Sequence, residues 1–466
     1  MLGSNPLIST ILDTDSYKFS HWVQYPPNTT GMFSYLESRG GKFGETVFFG
    51  LQYYLKQFLS NPVTMEQVDE AAAFAKAHGV PFNLEGWTRI ATTLGGKIPV
   101  KIRAVPEGTV VPTGNILMSV ESTDPETFWV VSWLETMLVR LWYPTTVATL
   151  SHYTKRLIAA YLEMTADDVE AEIAFKLHDF GSRGVSSQES AAIGGAAHLV
   201  NFMGSDTVAG IHMANTFYNH EMSGFSIPAS EHSTMTMWGR ANEAMAYSNM
   251  LEQYKDQPIF ACVSDSYDIM NAASNIWGGE LLGKVHEYKG TLVVRPDSGD
   301  PVEVCLELLE RLETAFGSTV NSKGYKVLAN DVRIIQGDGV NFESIDKILS
   351  ALKDKGFSAT NIAFGMGGGL LQQVNRDTQK FAFKCSSATV QGEEMDVYKD
   401  PATDSVKKSK RGRLELDLIH TGEMVTVRRE ESYNTLLRDV YLDGEILVED
   451  DLDSIRERAT LPPPRK

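Results

Sequence analysis

Three cysteines in 466 residues, Cys262, Cys305 and Cys385, are too few and too scattered for a disulfide framework, and no CxxC pair signals a zinc ribbon. Positive charge is scarce as well: 42 Lys and Arg stand against 60 Asp and Glu, a net charge of −18. Phosphate backbones and anionic lipid repel such a chain unless basic residues gather locally, so a general nucleic-acid binder is not expected. Long apolar runs are missing too. The most apolar segment, 128–143, contains Ser132, Glu135 and Arg140, and a bilayer span requires ~18 uninterrupted apolar residues. A buried helix is expected there instead, with Asp124-Pro125 as cap and first helical position. The first residues lack the basic and apolar regions of a signal peptide, so the expected compartment is the reducing cytoplasm. Neither G-x-G-x-x-G nor a Walker A sequence occurs.

Core-forming residues, by contrast, are plentiful. The 21 Phe, 17 Tyr and 7 Trp exclude disorder over most of the chain. Up to about residue 165, short β-rich runs (31–36, 47–49, 97–104, 109–112, 117–120) alternate with helical stretches at 51–58 and 65–77. Pro and Gly punctuate them, which suggests an α+β or sandwich-like region. From about residue 172 the texture changes. Apolar runs recur at 173–177, weakly around 204–206, then at 225–227, 259–263, 291–294, 332–335, 362–364 and 381–383, each ending in a polar corner before a helical pattern. Ser186-x-x-Glu189 and Asp300-Pro301-Val302-Glu303 mark helix starts. Continuous apolar strands alternating with helices imply a parallel sheet covered on both faces, and eight units imply a closed β/α barrel with function at the C-terminal strand ends. After residue 387 strand-like runs return (395–398, 413–419, 424–428, 436–442), with a short helix near 453–459. The expected class is α/β. A barrel over 166–387 carries the site, and 1–165 together with 388–466 form a second, discontinuous β-rich α+β domain.

The polar corners hold the chemistry. Arg183, Arg295, Arg333 and Arg376 lie on or near them in a strongly acidic chain, and the planar guanidinium suits phosphate oxygens. Gly337-Asp338-Gly339 and Gly365-Met366-Gly367-Gly368-Gly369 let backbone N–H groups approach a phosphate. Asp206, Asp265, Asp297 and Asp338 sit on the same rim, suited to sugar hydroxyls, a Mg²⁺ ion or a neighbouring histidine. His232 ends a strand among small residues and is the sharpest single candidate; His178, on a more apolar strand, stands behind it. The basic run Lys407, Lys408, Lys410, Arg411 and Arg413 reads as a solvated loop or an anion-guiding one.

Taken together, Tyr17 in Asp13-Thr14-Asp15-Ser16-Tyr17-Lys18, the stretch from His178 to Ser187, Pro228–Thr234, Val263–Asp268, Arg295–Gly299, Gln336–Gly339 and Gly367–Leu371 resemble nicotinamide phosphoribosyltransferase, in order and over nearly the whole chain. The resemblance implies a homodimer with shared active sites, each chain an irregular β/α barrel plus a β-rich domain. Nicotinamide is joined to 5-phosphoribosyl 1-diphosphate with Mg²⁺, giving nicotinamide mononucleotide and diphosphate; which residues would hold the metal is left open. ATP hydrolysis through a phosphohistidine assists as a facultative activator. By the same resemblance Phe180 and, from the other subunit, Tyr17 stack on the pyridine, and Asp206 faces the carboxamide. Arg295 and Asp297 contact ribose and ring, while Gly337, Asp338, Gly368 and Arg376 hold ribose and 5′-phosphate. Arg183 and His232 meet the diphosphate, with Asp265 as partner of His232, and Lys384, Lys399 and Lys407 cover the polyphosphate. Ser182 and Met366 depart from the family's pattern, an aromatic residue in animal members and a serine respectively. The runner-up is nicotinate phosphoribosyltransferase, a near relative of similar architecture.

Overall fold

In the computed structural model, residues 8–399 and 409–461 are described. The chain divides into two compact units. The first holds the residues up to Thr149, Ala214–Glu221 and Asn375–Thr460; the second holds Leu150–Met213 and Met222–Val374.

The first unit is built on a seven-stranded sheet in the order Glu393–Asp396, Phe381–Val390, Thr29–Ser38, Ile116–Ser122, Val100–Ala104, Arg438–Leu442, Glu445–Ile446. Every neighbouring pair is antiparallel. Strands from both ends of the chain therefore share one sheet, so this β-rich domain is discontinuous. The run 381–383 belongs here, paired with 36–38, and not to the barrel. A short apolar run fits either kind of sheet, and only its pairing partner decides. The expected helix at 128–143 is also revised. It is broken into Val130–Trp133 and Glu135–Val139 before the long helix Trp142–Thr165, and Asp124 pairs with Arg89 at 2.7 Å rather than capping. Its apolar residues are buried as expected: Trp87, Trp129 and Trp133 meet edge to face with centroids 5.2–5.7 Å apart.

The basic run is less solvated than its composition suggests. Lys410 pairs with Glu37 and Arg413 with Glu121, and Arg411 lies 5.3 Å over the Tyr398 ring. Lys407 and Lys408 lie outside the described residues.

The second unit is the α/β part. Its parallel sheet runs Leu177–Asp179, Ile362–Met366, Val332–Gln336, Thr291–Arg295, Ile259–Val263. Single parallel bridges then carry the circuit onward, Ala229 to Ala261, Phe225 to Gly204 and Ser205 back to Asp179. The hydrogen-bonded circuit closes with five strands and two bridge-held segments, so the barrel is irregular and has seven staves rather than eight. The first stave is shifted from its expected place. Ile173 ends a short helix capped by Asp168, and the strand begins at Leu177. Helix starts follow local rules. Asp300 accepts from the N–H groups of Val302 and Glu303 with Pro301 in the first turn. Ser187, not Ser186, caps the helix Gln188–His198.

Candidate active site

Every barrel strand ends at one rim, and the side chains there are brought together from distant parts of the chain. Phe180 leaves the first strand with its N–H donating to the Met366 carbonyl at 3.0 Å. Its ring is seated on glycine: a Cβ on Gly365 would lie 1.9 Å from Phe180 Cε2, and one on Gly337 would lie 3.3 Å away. The Arg295 guanidinium stands 5.3 Å from the ring centroid on one side, and the His178 ring lies 5.2 Å away. The result is an aromatic platform flanked by a cation.

Arg295 Nη2 is paired with Asp297 Oδ1 at 2.7 Å, while its Nε is buried without a hydrogen-bond partner. A buried unpaired donor carries a desolvation cost of ~1–3 kcal/mol, which an anionic or hydroxyl ligand would relieve. The Gly337 turn lies against this same guanidinium. Gly184, beside Arg183, comes within reach of Gly368, so the turns after the first and last strands meet. Arg183 and Asp338 are exposed. These are the residues and turns on which the sequence expects phosphate.

His232 opens the short helix His232–Thr236. Its Nε2 lies 2.7 Å from Asp265 Oδ1, and its Nδ1 is 4.0 Å from Asp297 Oδ2. Asp265 is locked in turn, since its Oδ2 accepts from the Asp297 N–H at 3.0 Å and the Ser298 hydroxyl at 2.6 Å. The imidazole is about half exposed, whereas Asp265 is almost wholly covered. This is a histidine oriented by a fixed carboxylate, with its other nitrogen open.

A second dyad was not foreseen. His178 Nε2 lies 2.8 Å from Asp206 Oδ1, which also accepts from the Ser226 hydroxyl at 2.5 Å. Burial raises the Asp206 carboxyl, but His178, Ser226 and the charge of Arg295 outweigh it and hold the group below the ordinary range. Asp206 is therefore an ionised acceptor. Asp179 beside it is fully buried; its Oδ1 accepts from the Gly181 N–H at 2.7 Å, and burial pushes it up to about 6. Arg333 leaves the candidate set. It begins its strand at the opposite end, with Nη1 donating to the carbonyls of Leu328, Ala329 and Val332. Tyr17, Arg376, Lys384 and Lys399 belong to the β-rich unit, all exposed, Tyr17 at 59%.

Among the described residues no three His, Cys, Asp or Glu side chains gather as a metal cage, nor is any helix long and apolar enough to cross a membrane. Mg²⁺ is usually held by one or two carboxylates together with substrate phosphates and water. The donor set fits that form: Asp297 Oδ2 makes no hydrogen bond and faces the His232 side of the rim.

The model of the nicotinate phosphoribosyltransferase (NAPRTase) family matches residues 175–445, and that of the nicotinamide phosphoribosyltransferase N-terminal domain matches residues 9–102. The chain is 56% identical over 411 residues to a nicotinamide phosphoribosyltransferase of Xanthomonas campestris pv. campestris, covering 88% of each. It is 31% identical over 490 residues to one of Acinetobacter baylyi, covering 95% of each. A nicotinate-nucleotide pyrophosphorylase from Pyrococcus furiosus shares the fold with a TM-score of 0.61 at 17% identity, over 98% of this chain and 97% of that one. Human nicotinic acid phosphoribosyltransferase does so with a TM-score of 0.55 at 17% identity, over 96% and 92%.

Proposed function

Since this chain belongs to the nicotinate phosphoribosyltransferase family and is a pentosyltransferase of NAD salvage, we propose that its base substrate is nicotinamide, which it joins to 5-phosphoribosyl 1-diphosphate to give nicotinamide mononucleotide and diphosphate. The observation that carries the choice of base is Asp206, an ionised carboxylate beside the Phe180 platform. Such a group accepts a hydrogen bond from a carboxamide and repels the carboxylate of nicotinate. Relatives named for nicotinamide, at 56% and 31% identity, support the same reading.

The chain's own residues then divide the work. Phe180 and Arg295 hold the pyridine flat at the rim, which replaces a bimolecular encounter with a positioned one. As the C1–O bond to diphosphate breaks, positive charge develops on the ribose and negative charge on the leaving group. In this reading Arg183 and His232 meet the departing diphosphate, while the Gly337 and Gly368 turns hold the ribose and its 5′-phosphate, so that positioned donors and a cation favour charge separation. Asp297 would hold Mg²⁺ arriving with the diphosphate, which supplies neutralisation of the leaving anion. The pyridine nitrogen attacks C1 directly, so no covalent enzyme–sugar intermediate is required. ATP is a co-substrate in this reading, with His232 as the phosphoryl acceptor. Incubation with nicotinamide, phosphoribosyl diphosphate and Mg²⁺ is expected to yield mononucleotide and diphosphate in equal amounts. If chromatography finds no mononucleotide at saturating substrates, the assignment fails.

The active sites are proposed to be shared within a homodimer, with Tyr17 serving the partner's base site. Tyr17 is a large ring left 59% exposed, although Thr14, Asp15 and Lys18 anchor its segment to Trp133, Thr136 and Glu135. The anchored segment holds the exposed ring in a fixed place, and the resemblance to nicotinamide phosphoribosyltransferases supplies the reading that it reaches a partner's base. Mixing inactive Tyr17→Ala with inactive Phe180→Ala protomers is then expected to restore up to one intact site per heterodimer. Mass spectrometry verifies the exchange of subunits, and mixed dimers that stay inactive would rule out a shared site.

A further inference from the structure

Two hydrogen-bond donors converge on one oxygen of Asp206 and leave the other alone. His178 Nε2 at 2.8 Å and the Ser226 hydroxyl at 2.5 Å both meet Oδ1, and Oδ2 makes no hydrogen bond. An ionised carboxylate only accepts, so the contact fixes Nε2 of His178 as the nitrogen that carries the proton. The imidazole is itself seated from behind. A Cβ on Gly204 would lie 2.6 Å from His178 Nδ1 and 3.4 Å from Cγ, so the ring takes this place only because residue 204 is glycine. Gly204 lies in the bridge-held stave next to the strand that carries His178. The imidazole is largely covered, whereas Asp206 is half open to the rim.

We propose that His178 is a specificity-determining residue for the base: by holding Oδ1 of Asp206 through Nε2, it leaves Oδ2 aimed at the substrate as an acceptor that rewards a carboxamide and rejects a carboxylate. This rests on the reading that Asp206 faces the base. A carboxyl without its donors can turn, and it can take up a proton when a second carboxylate approaches, because two like charges at hydrogen-bond distance favour a shared proton. The native arrangement opposes both. Two donors fix the orientation, and they favour the ionised form along with the charge of Arg295. Rejection of nicotinate is thus a property of the His178–Asp206–Ser226 set and of the glycine that admits the ring.

The test is the ratio of kcat/KM for nicotinamide to kcat/KM for nicotinate in the native enzyme, His178→Leu, His178→Gln, Gly204→Ala and Asp206→Ala. Both bases are read on the same preparation, so partial loss of folded protein leaves the ratio unmoved. Leucine removes the donor, while Gln places an amide N–H near the position of Nε2. Gly204→Ala displaces the ring without removing any polar group. The ratio is expected to fall about threefold to tenfold in His178→Leu and Gly204→Ala, the scale of one ordinary net hydrogen bond, and to stay within about twofold of native in His178→Gln. Asp206→Ala is expected to lower it furthest. A native ratio in His178→Leu beside a lowered one in Asp206→Ala would overturn the role of His178 and leave the base assignment standing. An equal fall in His178→Gln and His178→Leu would also overturn it, since the donor would then not matter. A native ratio in Asp206→Ala would overturn the base assignment itself.

Discussion

His232→Ala is expected to abolish phosphorylation of the protein by ATP while a slow ATP-independent synthesis remains. The reason lies in the tautomer. Asp265 Oδ1 at 2.7 Å engages Nε2 of His232, and Asp265 is held by the Asp297 N–H and the Ser298 hydroxyl. A neutral imidazole that donates its Nε2 proton to the carboxylate offers the lone pair of Nδ1 in a fixed orientation. In the proposed step Nδ1 attacks the γ-phosphorus of ATP, the bond to the bridging oxygen breaks, and ADP leaves. Asp265→Ala is expected to slow the same step by about tenfold to a hundredfold rather than abolish it, because the ring stays but loses its orienting bond. Labelling with γ-³²P-ATP is the measurement: acid-labile, base-stable label on the native protein and none on His232→Ala. If His232 only bound diphosphate, the variant would weaken substrate binding equally with and without ATP. Label persisting on His232→Ala would place the phosphate on another residue.

Gly365→Ala is expected to reduce kcat/KM for the base by about tenfold to a thousandfold, an effect out of proportion to one methyl group. Its Cβ would stand 1.9 Å from Cε2 and 2.2 Å from Cδ2 of Phe180, distances that no relaxation of the strand removes while the ring stays in place. Overpacking of this kind costs ~1–3 kcal/mol, and loss of an aromatic stacking partner adds ~0.5–1.5 kcal/mol. Since ~1.4 kcal/mol is a factor of ten, the two together span that range. The KM for phosphoribosyl diphosphate should change less, because the Gly368 turn, unlike Gly337, stands clear of the ring. A double-mutant cycle separates platform loss from general damage. In a Phe180→Leu background the added methyl should have a much smaller effect, giving a coupling of more than ~1 kcal/mol between the two positions. Additive effects would mean that Gly365 acts on something other than Phe180.

The alternation of apolar runs with helical patterns determined an α/β unit flanked by β-rich segments, because the periods of strand and helix are local properties of the chain. Local rules also located Asp300 with Pro301 as a helix start, and the polar corners as the places where Arg295, Asp265, His232 and Phe180 stand. The meeting of those corners was decided elsewhere. The pairing of Phe381–Val390 with Thr29–Ser38 joins residues more than 340 positions apart, and its apolar start fits a barrel strand equally well. Arg333 and Arg295 look alike as arginines on strands. The first begins its strand and the second ends it, which places them at opposite ends of the barrel once the parallel register is set. His178 and Asp206 lie 28 residues apart on neighbouring staves and become a dyad only through the bridge of Asp179 to Ser205. Gly365 reads in sequence as one more glycine of a phosphate turn, and the fold makes it the seat of a ring that starts 185 residues earlier. Residue type, period and turn chemistry are short-range and were written in the chain. Which corner faces which, and which missing Cβ makes room for which ring, depends on pairing across the sheet, where the decisive partners are far apart in sequence.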